Sequence, residues 1–327
     1  MSLELESVFV HLEGEPPLPL IADMGFRLED GGTLGIVGES GSGKSLLALA
    51  TIGLLPGGMR AAGRILLDGR DLLALPESEL CHIRGARIGM IFQEPMTALN
   101  PVMRIGDQIA EGLLWHREIG AAAARAEALR LLDRVRMPDA ARRFAFYPHE
   151  LSGGQRQRVG IAIALAPGPK LLIADEPTTA LDVTVESEIL DLLAELVAES
   201  GMSLILISHD LGIIAGMADR TLVMYAGTRF EEGPTETVLR HPVNPYTRGL
   251  LQAMPQRGLP VADDADRRAR RLASIPGSVP QARQLPPGCR FADRCAMIVP
   301  ACRPVEPAWR ELTPGHSVRC IRAEALL

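Results

Sequence analysis

Residues 38–45 read Gly38-Glu39-Ser40-Gly41-Ser42-Gly43-Lys44-Ser45 and fit the pattern G-x-x-x-x-G-K-[ST]. Glycines let such a loop curl until several backbone N–H groups face one point, which suits phosphate oxygens. Lys44 would neutralise the β- and γ-phosphates of a nucleotide, and the Ser45 hydroxyl would ligate Mg²⁺. Of 34 Lys and Arg residues only Lys44 and Lys170 are lysines. Where arginine is the default cation, a lysine at this point suggests a need for a compact ammonium. Asp175 and Glu176 end an apolar run, Leu171-Leu172-Ile173-Ala174. Asp175 offers a hard oxygen to an Mg²⁺-bound water, and Glu176 can polarise the attacking water. Gln93 and His209 also stand at the ends of apolar runs, positions from which a side chain can face a nucleotide and its γ-phosphate. Taken alone, Gln93 reads better as a plain loop glutamine, and a lone histidine is usually structural. Leu151-Ser152-Gly153-Gly154-Gln155 opens a helix. It reads as a second anion-binding nest or, on its own, as an N-capped helix start.

The four-cysteine pattern Cys289-x₅-Cys295-x₆-Cys302-x₁₇-Cys320 carries separate chemistry. Four thiolates are enough for a complete tetrahedral set, and Pro286-Pro287-Gly288 suits a tight ligand loop. A [4Fe–4S] cluster, zinc, or free or oxidised thiols are all open on spacing alone, although the lack of a Cys-x₂-Cys pair weakens a zinc ribbon. Cys81 stands apart as an ordinary thiol.

These groups need a frame. Leu34-Gly35-Ile36-Val37 predicts a buried strand before the glycine loop, and Leu46 to Leu55 a helix after it. Strand, loop, helix is the context the motif requires. Leu3-Glu4-Leu5-Glu6 alternates like a half-buried strand, Pro16, Pro17 and Pro19 predict a loop, and Phe26-Arg27-Leu28 a resumed strand. Gly63 to Gly69 predicts a short strand closed by an Asp-Gly turn. Further buried strands are expected at Ile88 to Phe92, Leu171 to Ala174 and Leu204 to Ser208, with a hairpin from Leu222-Val223-Met224 to Thr228-Arg229-Phe230. Ile105 to Ile119 and Ala121 to Val135 carry helical periodicity and many alanines, as a helical insertion would. A long helix is expected from about Thr184 to Glu199.

Bulk properties bound the rest. The 327 residues have room for one large domain or two modest ones, with 47% hydrophobic residues for a core. A net charge of −6 argues against bulk nucleic-acid binding. Met1 to Val10 lacks the basic start of a signal peptide, and no apolar run reaches the length of a membrane span. The reading is a soluble or peripheral protein in a reducing compartment. The run Arg267-Arg268-Ala269-Arg270-Arg271 after Asp263, Asp264 and Asp266 reads as a solvated linker.

Together, the phosphate loop, Gln93, Leu151 to Gln155, Asp175 with Glu176, Asp182 and His209 occur in the order found in the ATP-binding subunits of ABC transporters, which the chain resembles over residues 1 to roughly 235. Leu151 to Gln155 matches that family's LSGGQ signature without a change. The resemblance implies a RecA-like α/β P-loop core with an antiparallel β subdomain and a helical subdomain at about 97–165. It implies ATP contacts at Gly38, Ser40, Gly41, Gly43, Lys44 and Ser45, and Mg²⁺ at Ser45, Gln93 and Asp175. Catalytic roles fall to Glu176, His209, Gln93 and Lys44. Ser152, Gly153, Gly154, Gln155 and Asp182 would act across a head-to-tail dimer. The aromatic residue that this family stacks on adenine is absent from its usual place. Leu12 stands there, with His11 or Phe9 as substitutes.

Gly38 to Ser45, Ile91 to Pro101, Tyr147 to Leu151 and His241 to Thr247 further resemble the dipeptide/oligopeptide importers, a pattern shared with nickel importers. That implies a second ATP-binding subunit, identical or paralogous, two transmembrane permease subunits and an extracytoplasmic solute-binding protein. The expected location is the cytoplasmic face of the inner membrane, with Met96 to Ile105 meeting the permeases. Residues 236–327 resemble the cysteine-bearing extension of this subfamily, where an iron–sulfur cluster is implied. A soluble ABC ATPase of translation or repair, which usually carries two cassettes or a long coiled-coil insertion, and a regulatory iron–sulfur module are the rival readings.

Overall fold

The computed structural model describes residues 1–93, 98–179, 181–254 and 274–327. The acidic and basic run at 263–271 and the start of the Met96 to Ile105 segment lie outside them. Two sheets form the frame. The first is antiparallel, from β1 (Leu3–Leu12), β2 (Leu18–Leu28), β4 (Met59–Leu67) and β5 (Arg70–Asp71), in the order β2-β1-β4-β5. The second has eight strands. β3 (Thr33–Val37), β6 (Ile88–Ile91), β7 (Leu171–Asp175), β8 (Ser203–Ser208) and β9 (Arg220–Tyr225) run parallel, while β10 (Thr228–Pro234), β11 (Arg310–Thr313) and β12 (His316–Val318) extend one edge antiparallel. The order is β11-β12-β10-β9-β3-β8-β7-β6.

The period-2 pleat explains why this sheet is apolar on both sides. Leu171, Ile173, Ile205 and Ile207 face one core, shared with the antiparallel sheet and with α1 (Lys44–Thr51). Leu172, Ala174, Leu204 and Leu206 face the other. There the helices pack: α3 (Ile105–His116), α4 (Ala121–Arg134), the single turn α5 (Ala140–Arg143), α6 (Gly153–Leu165), α7 (Val183–Ser200) and α8 (Leu211–Met217). The short α2 (Glu77–Ile83) lies after β5.

The expected strands and helices are present, with three local corrections. The helix expected to reach Ile119 ends at His116, where Arg117 turns extended. Pro19, assigned to a loop, lies inside β2 and pairs with His11. β2 is a sheet edge, where a residue without an N–H costs no ladder bond. α1 stops at Thr51 rather than Leu55, because Ile52 caps it and Gly53 follows at φ +67°. The β9–β10 hairpin turns on Ala226-Gly227, both at positive φ, as a two-residue type I′ turn requires.

The C-terminal region is not a detached appendix. After α9 (Thr235–Arg240) and α10 (Pro245–Ala253), β12 joins the main sheet by pairing with β10. Glu231 of β10 is fully buried. Its carboxylate accepts N–H bonds from Val243 (2.8 Å) and Asn244 (3.2 Å) and lies 2.8 Å from His316 Nε2. Tyr225, Phe230, Tyr246 and Phe291 interlock as a ring cluster between core and extension, with ring centroids 4.7 to 5.9 Å apart. Two short strands of three and four residues gave no sequence signal. Their pairing is a long-range effect.

Candidate functional site

Parallel strands deliver their C-terminal ends to one rim. Val37 is level with Ser208, and Asp175 with Ile207. Hence the glycine loop after β3, Gln93 after β6, Asp175 and Glu176 at the end of β7, and His209 after β8 meet at one place. Gly38 is obligatory in this loop: a Cβ there would lie 2.2 Å from the Met224 carbonyl oxygen. Lys44 is the first residue of α1 and is 4% exposed. Its ammonium donates to the carbonyls of Gly38 (2.8 Å) and Glu39 (3.2 Å), and so ties the loop over the helix start. Burial pulls the Lys44 pKa down, against the pull of the Glu176 and Asp175 carboxylates.

Glu176 is the hub. Its oxygens lie 3.8 Å from Lys44 Nζ and 3.5 Å from His209 Nδ1, and they accept hydrogen bonds from Gln93 Nε2 (3.2 Å) and Thr179 Oγ1 (2.9 Å). The backbone at Glu176 has φ +44°, a left-handed conformation that a side-chain-bearing residue rarely adopts, held by its N–H bond to Ile207. The His209 hydrogen bond, with help from Thr179 and Lys44, holds the Glu176 carboxyl down at about 2. His209 in turn is raised by Glu176. Thr179 carries no sequence motif. Its signal is weak, a hydroxyl three residues after the carboxylate it orients.

Because the folded pKa of Glu176 lies below its ordinary value of 4.5, its stabilising contribution is complete above that value and is lost as pH falls toward 2. Thermal melting should therefore fall more steeply for the wild type than for Glu176→Gln over that acid window. Parallel pH dependence in the two proteins would count against this electrostatic hub.

Asp175 sits deeper, 3% exposed. Its Oδ1 is buried without a hydrogen-bond partner, while the carboxyl also meets the Ser45 hydroxyl. Burial raises its pKa, so the ionised form wants a cation. An orphaned hard oxygen beside a hydroxyl fits Mg²⁺ by donor chemistry.

The LSGGQ stretch is built elsewhere. Ser152 caps α6 in a reciprocal box with Gln155, and Asp182 caps α7 by accepting from the Val185 N–H at 3.0 Å. The two caps meet, since a Cβ on Gly154 would come within 2.5 Å of Val185 Cγ1. The hydrogen bonds of Ser152 and Gln155 stay within their own turn, and Gly153 and Gly154 pack on α7 and the residues before it rather than on the glycine loop. Within one chain the two anion-binding stretches are therefore separate. Of the proposed adenine contacts, Phe9 is exposed and His11 and Leu12 are half-buried. None lines the cleft over Ser40, Gly41 and Gly43.

All four C-terminal cysteines line one small cavity, with Phe230, Phe291 and Arg319 among its walls. The expected tetrahedral set is not assembled. Among the described residues, no group of three or more His, Cys, Asp or Glu side chains is arranged to hold a metal ion. Burial pushes the Cys289 thiol up to about 12 and raises Cys295 and Cys320, so a cation would be needed to favour their thiolates. Cys81 is a free, half-buried thiol.

Comparison with known proteins agrees with this geometry. The ABC transporter family matches residues 21–179, and the oligopeptide/dipeptide transporter C-terminal region matches residues 230–302. The chain belongs to the family of ABC transporter ATP-binding subunits, which are ATPases. Its relatives narrow the branch. It is 51% identical over 301 residues to a peptide import ATP-binding protein of Brucella abortus (strain 2308), covering 92% of this chain and 88% of the relative. It is 50% identical over 309 residues to a similarly described protein of Brucella melitensis biotype 1, covering 92% and 91%. Among solved structures, it resembles a dimeric ATP-binding cassette in a post-hydrolysis state bound to ADP and Pi. That match has 28% identity and a TM-score of 0.64, and it covers 71% of this chain and 98% of that one.

Proposed function

We propose that this chain hydrolyses ATP to drive import of di- or oligopeptides, as a peripheral subunit on the cytoplasmic face of the inner membrane. One observation carries the reading: Lys44, Gln93, Thr179 and His209 converge on Glu176 at the mouth of the phosphate loop. In this reading the loop N–H groups from Gly38 to Ser45 cradle the phosphates, and Lys44 neutralises the terminal two. Ser45, Gln93 and Asp175 would hold Mg²⁺, which supplies charge neutralisation at the transferring phosphoryl group. Glu176, ionised throughout the physiological range, orients and polarises the water, and His209 faces the γ-phosphate. Ser152 to Gln155, with Asp182, close on the nucleotide of a second ATP-binding subunit.

No described helix is long and apolar enough to cross a membrane, so translocation falls to partner permeases. A groove lined by Met103, Asp107, Glu111, Leu114, Trp115 and Phe144 supports docking on the helical region, with the Trp115 side chain 69% exposed. Reconstitution with permeases and a solute-binding protein tests the whole reading. Peptide-dependent ATP hydrolysis and uptake are expected. Stimulation by nickel chelates but not by peptides would replace the peptide assignment.

A second element of the proposal is a [4Fe–4S] cluster on Cys289, Cys295, Cys302 and Cys320, supported by the presence of all four residues in the lining of one cavity, where their side chains would have to draw together around it. Anaerobic purification should yield about four iron and four sulfide per chain, with visible absorption that Cys302→Ser abolishes. Stoichiometric zinc without iron would refute it.

A further inference from the structure

The phosphate loop is gripped from outside by the C-terminal extension. Arg294 Nη1 donates to Glu39 Oε2 at 2.7 Å, and Nη2 donates to Oε1 at 2.8 Å, a two-pronged pair. The Arg294 side chain is 6% exposed. Its guanidinium is fixed by further bonds to the carbonyls of Pro276 (2.7 Å) and Gly277 (3.3 Å) and to the Tyr225 hydroxyl (3.3 Å). Glu39 is held at two other points as well. Its N–H donates to the Tyr246 hydroxyl at 2.9 Å, and its carbonyl accepts from Lys44 at 3.2 Å. Nearby, Ser278, Val279, Pro280 and Gln281 line the cleft over Ser40, Gly41 and Gly43.

Glu39 poses a problem for an anion-binding loop. A carboxylate there repels a triphosphate unless something neutralises and restrains it. Within the loop only Lys44 is basic, and its ammonium is turned to carbonyl oxygens and to Glu176. The neutralising group comes from 255 residues away in the chain.

We propose that Arg294 is a positioning residue of the nucleotide site: by neutralising and anchoring Glu39 it holds the phosphate loop ready for ATP, so the C-terminal extension is a working part of that site. The inference rests on the reading that this loop binds ATP. Preorganisation lowers the ordering cost of binding, and charge compensation removes a repulsion, so both act on affinity before the chemical step. Arg294 also directly precedes Cys295, so changes at the cysteine cavity have a one-residue path to the loop.

The test is equilibrium binding of a fluorescent ATP analogue to the full chain, with steady-state hydrolysis alongside. Arg294→Ala should weaken binding by about tenfold, raising KM more than it lowers kcat. Arg294→Lys, which keeps charge but loses the fork, should fall between. The decisive variant is Arg294→Ala combined with Glu39→Gln. Removing the stranded carboxylate should restore much of the affinity, a rescue that mere loss of packing would not show. Binding by Arg294→Ala within twofold of wild type, or a double variant no better than Arg294→Ala, overturns the proposal. If Arg294→Ala does not fold, the neutral and bulkier Arg294→Gln, with and without Glu39→Gln, supplies the same comparison. Lys44→Ala keeps the two readings apart: it should lose binding outright, and normal binding by that variant would sink the ATP-site reading itself.

Discussion

Glu176→Gln is expected to lower steady-state ATP hydrolysis by about three orders of magnitude while leaving nucleotide bound. The substitution is nearly isosteric, so the hydrogen bond from Gln93 or from Thr179 can persist on the amide oxygen. What vanishes is the negative charge, and with it the partner of Lys44 and of His209. The ground state loses little affinity, since a carboxylate beside a triphosphate is itself repulsive. The transition state loses the group that orients the water. Such a split, with binding kept and turnover lost, should also trap a nucleotide-loaded pair of subunits. Single-turnover measurements with size analysis would check both. Hydrolysis within tenfold of wild type would show that another group does this work, and the convergence of four side chains on Glu176 would need a different explanation.

The pH behaviour of the same hub follows from its signs. Glu176 is held low, so it stays ionised from mild acid upward. His209 is held high by that carboxylate, so its positive charge persists above its ordinary value and is lost as pH rises through the raised value. Any contribution of protonated His209 to γ-phosphate contact therefore fades on the alkaline side, and Glu176→Gln should move that limb to lower pH.

Much of this site was readable in sequence because its parts are local. The glycine loop, the strand-ending carboxylates and the strand-ending histidine are each set by a few neighbouring residues, and the parallel sheet then brings the strand ends together. The alternation that sends Leu172 to one core and Ile173 to the other lies behind the same prediction. What escaped is long-range. Thr179 has no motif. Arg294 and Tyr246 reach Glu39 across 255 and 207 residues, a pairing that no spacing rule encodes. β12 is a strand through its pairing with the β10 edge, and β11 through its pairing with β12. Pro19 reads as a breaker in sequence, and only the tertiary fact that β2 is an edge makes it tolerable in a strand. For the cysteines, sequence supplied the donors, and the fold brings them to the walls of one cavity.

Gly154→Asp should separate the two half-sites. The phosphate loop and the Ser152-Gly153-Gly154-Gln155 tip share no hydrogen bond among the described residues, so a change at the tip should leave analogue binding to the isolated chain within about twofold. Hydrolysis in the complete transporter should fall by two to three orders of magnitude, the usual cost of losing a preorganised anion contact in a dry site. Two effects add here. On the proposed two-subunit arrangement the new carboxylate would repel the terminal phosphate of the facing subunit, and its Cβ would lie 2.5 Å from Val185 Cγ1, which would displace the cap that Asp182 makes on α7. Gly154→Ala isolates the second effect, because it adds the methyl without the charge. If the tip serves a neighbour's nucleotide, the alanine variant should retain more hydrolysis than the aspartate variant, and both should bind the analogue normally. If instead both lose binding on the isolated chain, the tip belongs to its own loop, and the two-subunit arrangement of the site would have to be abandoned.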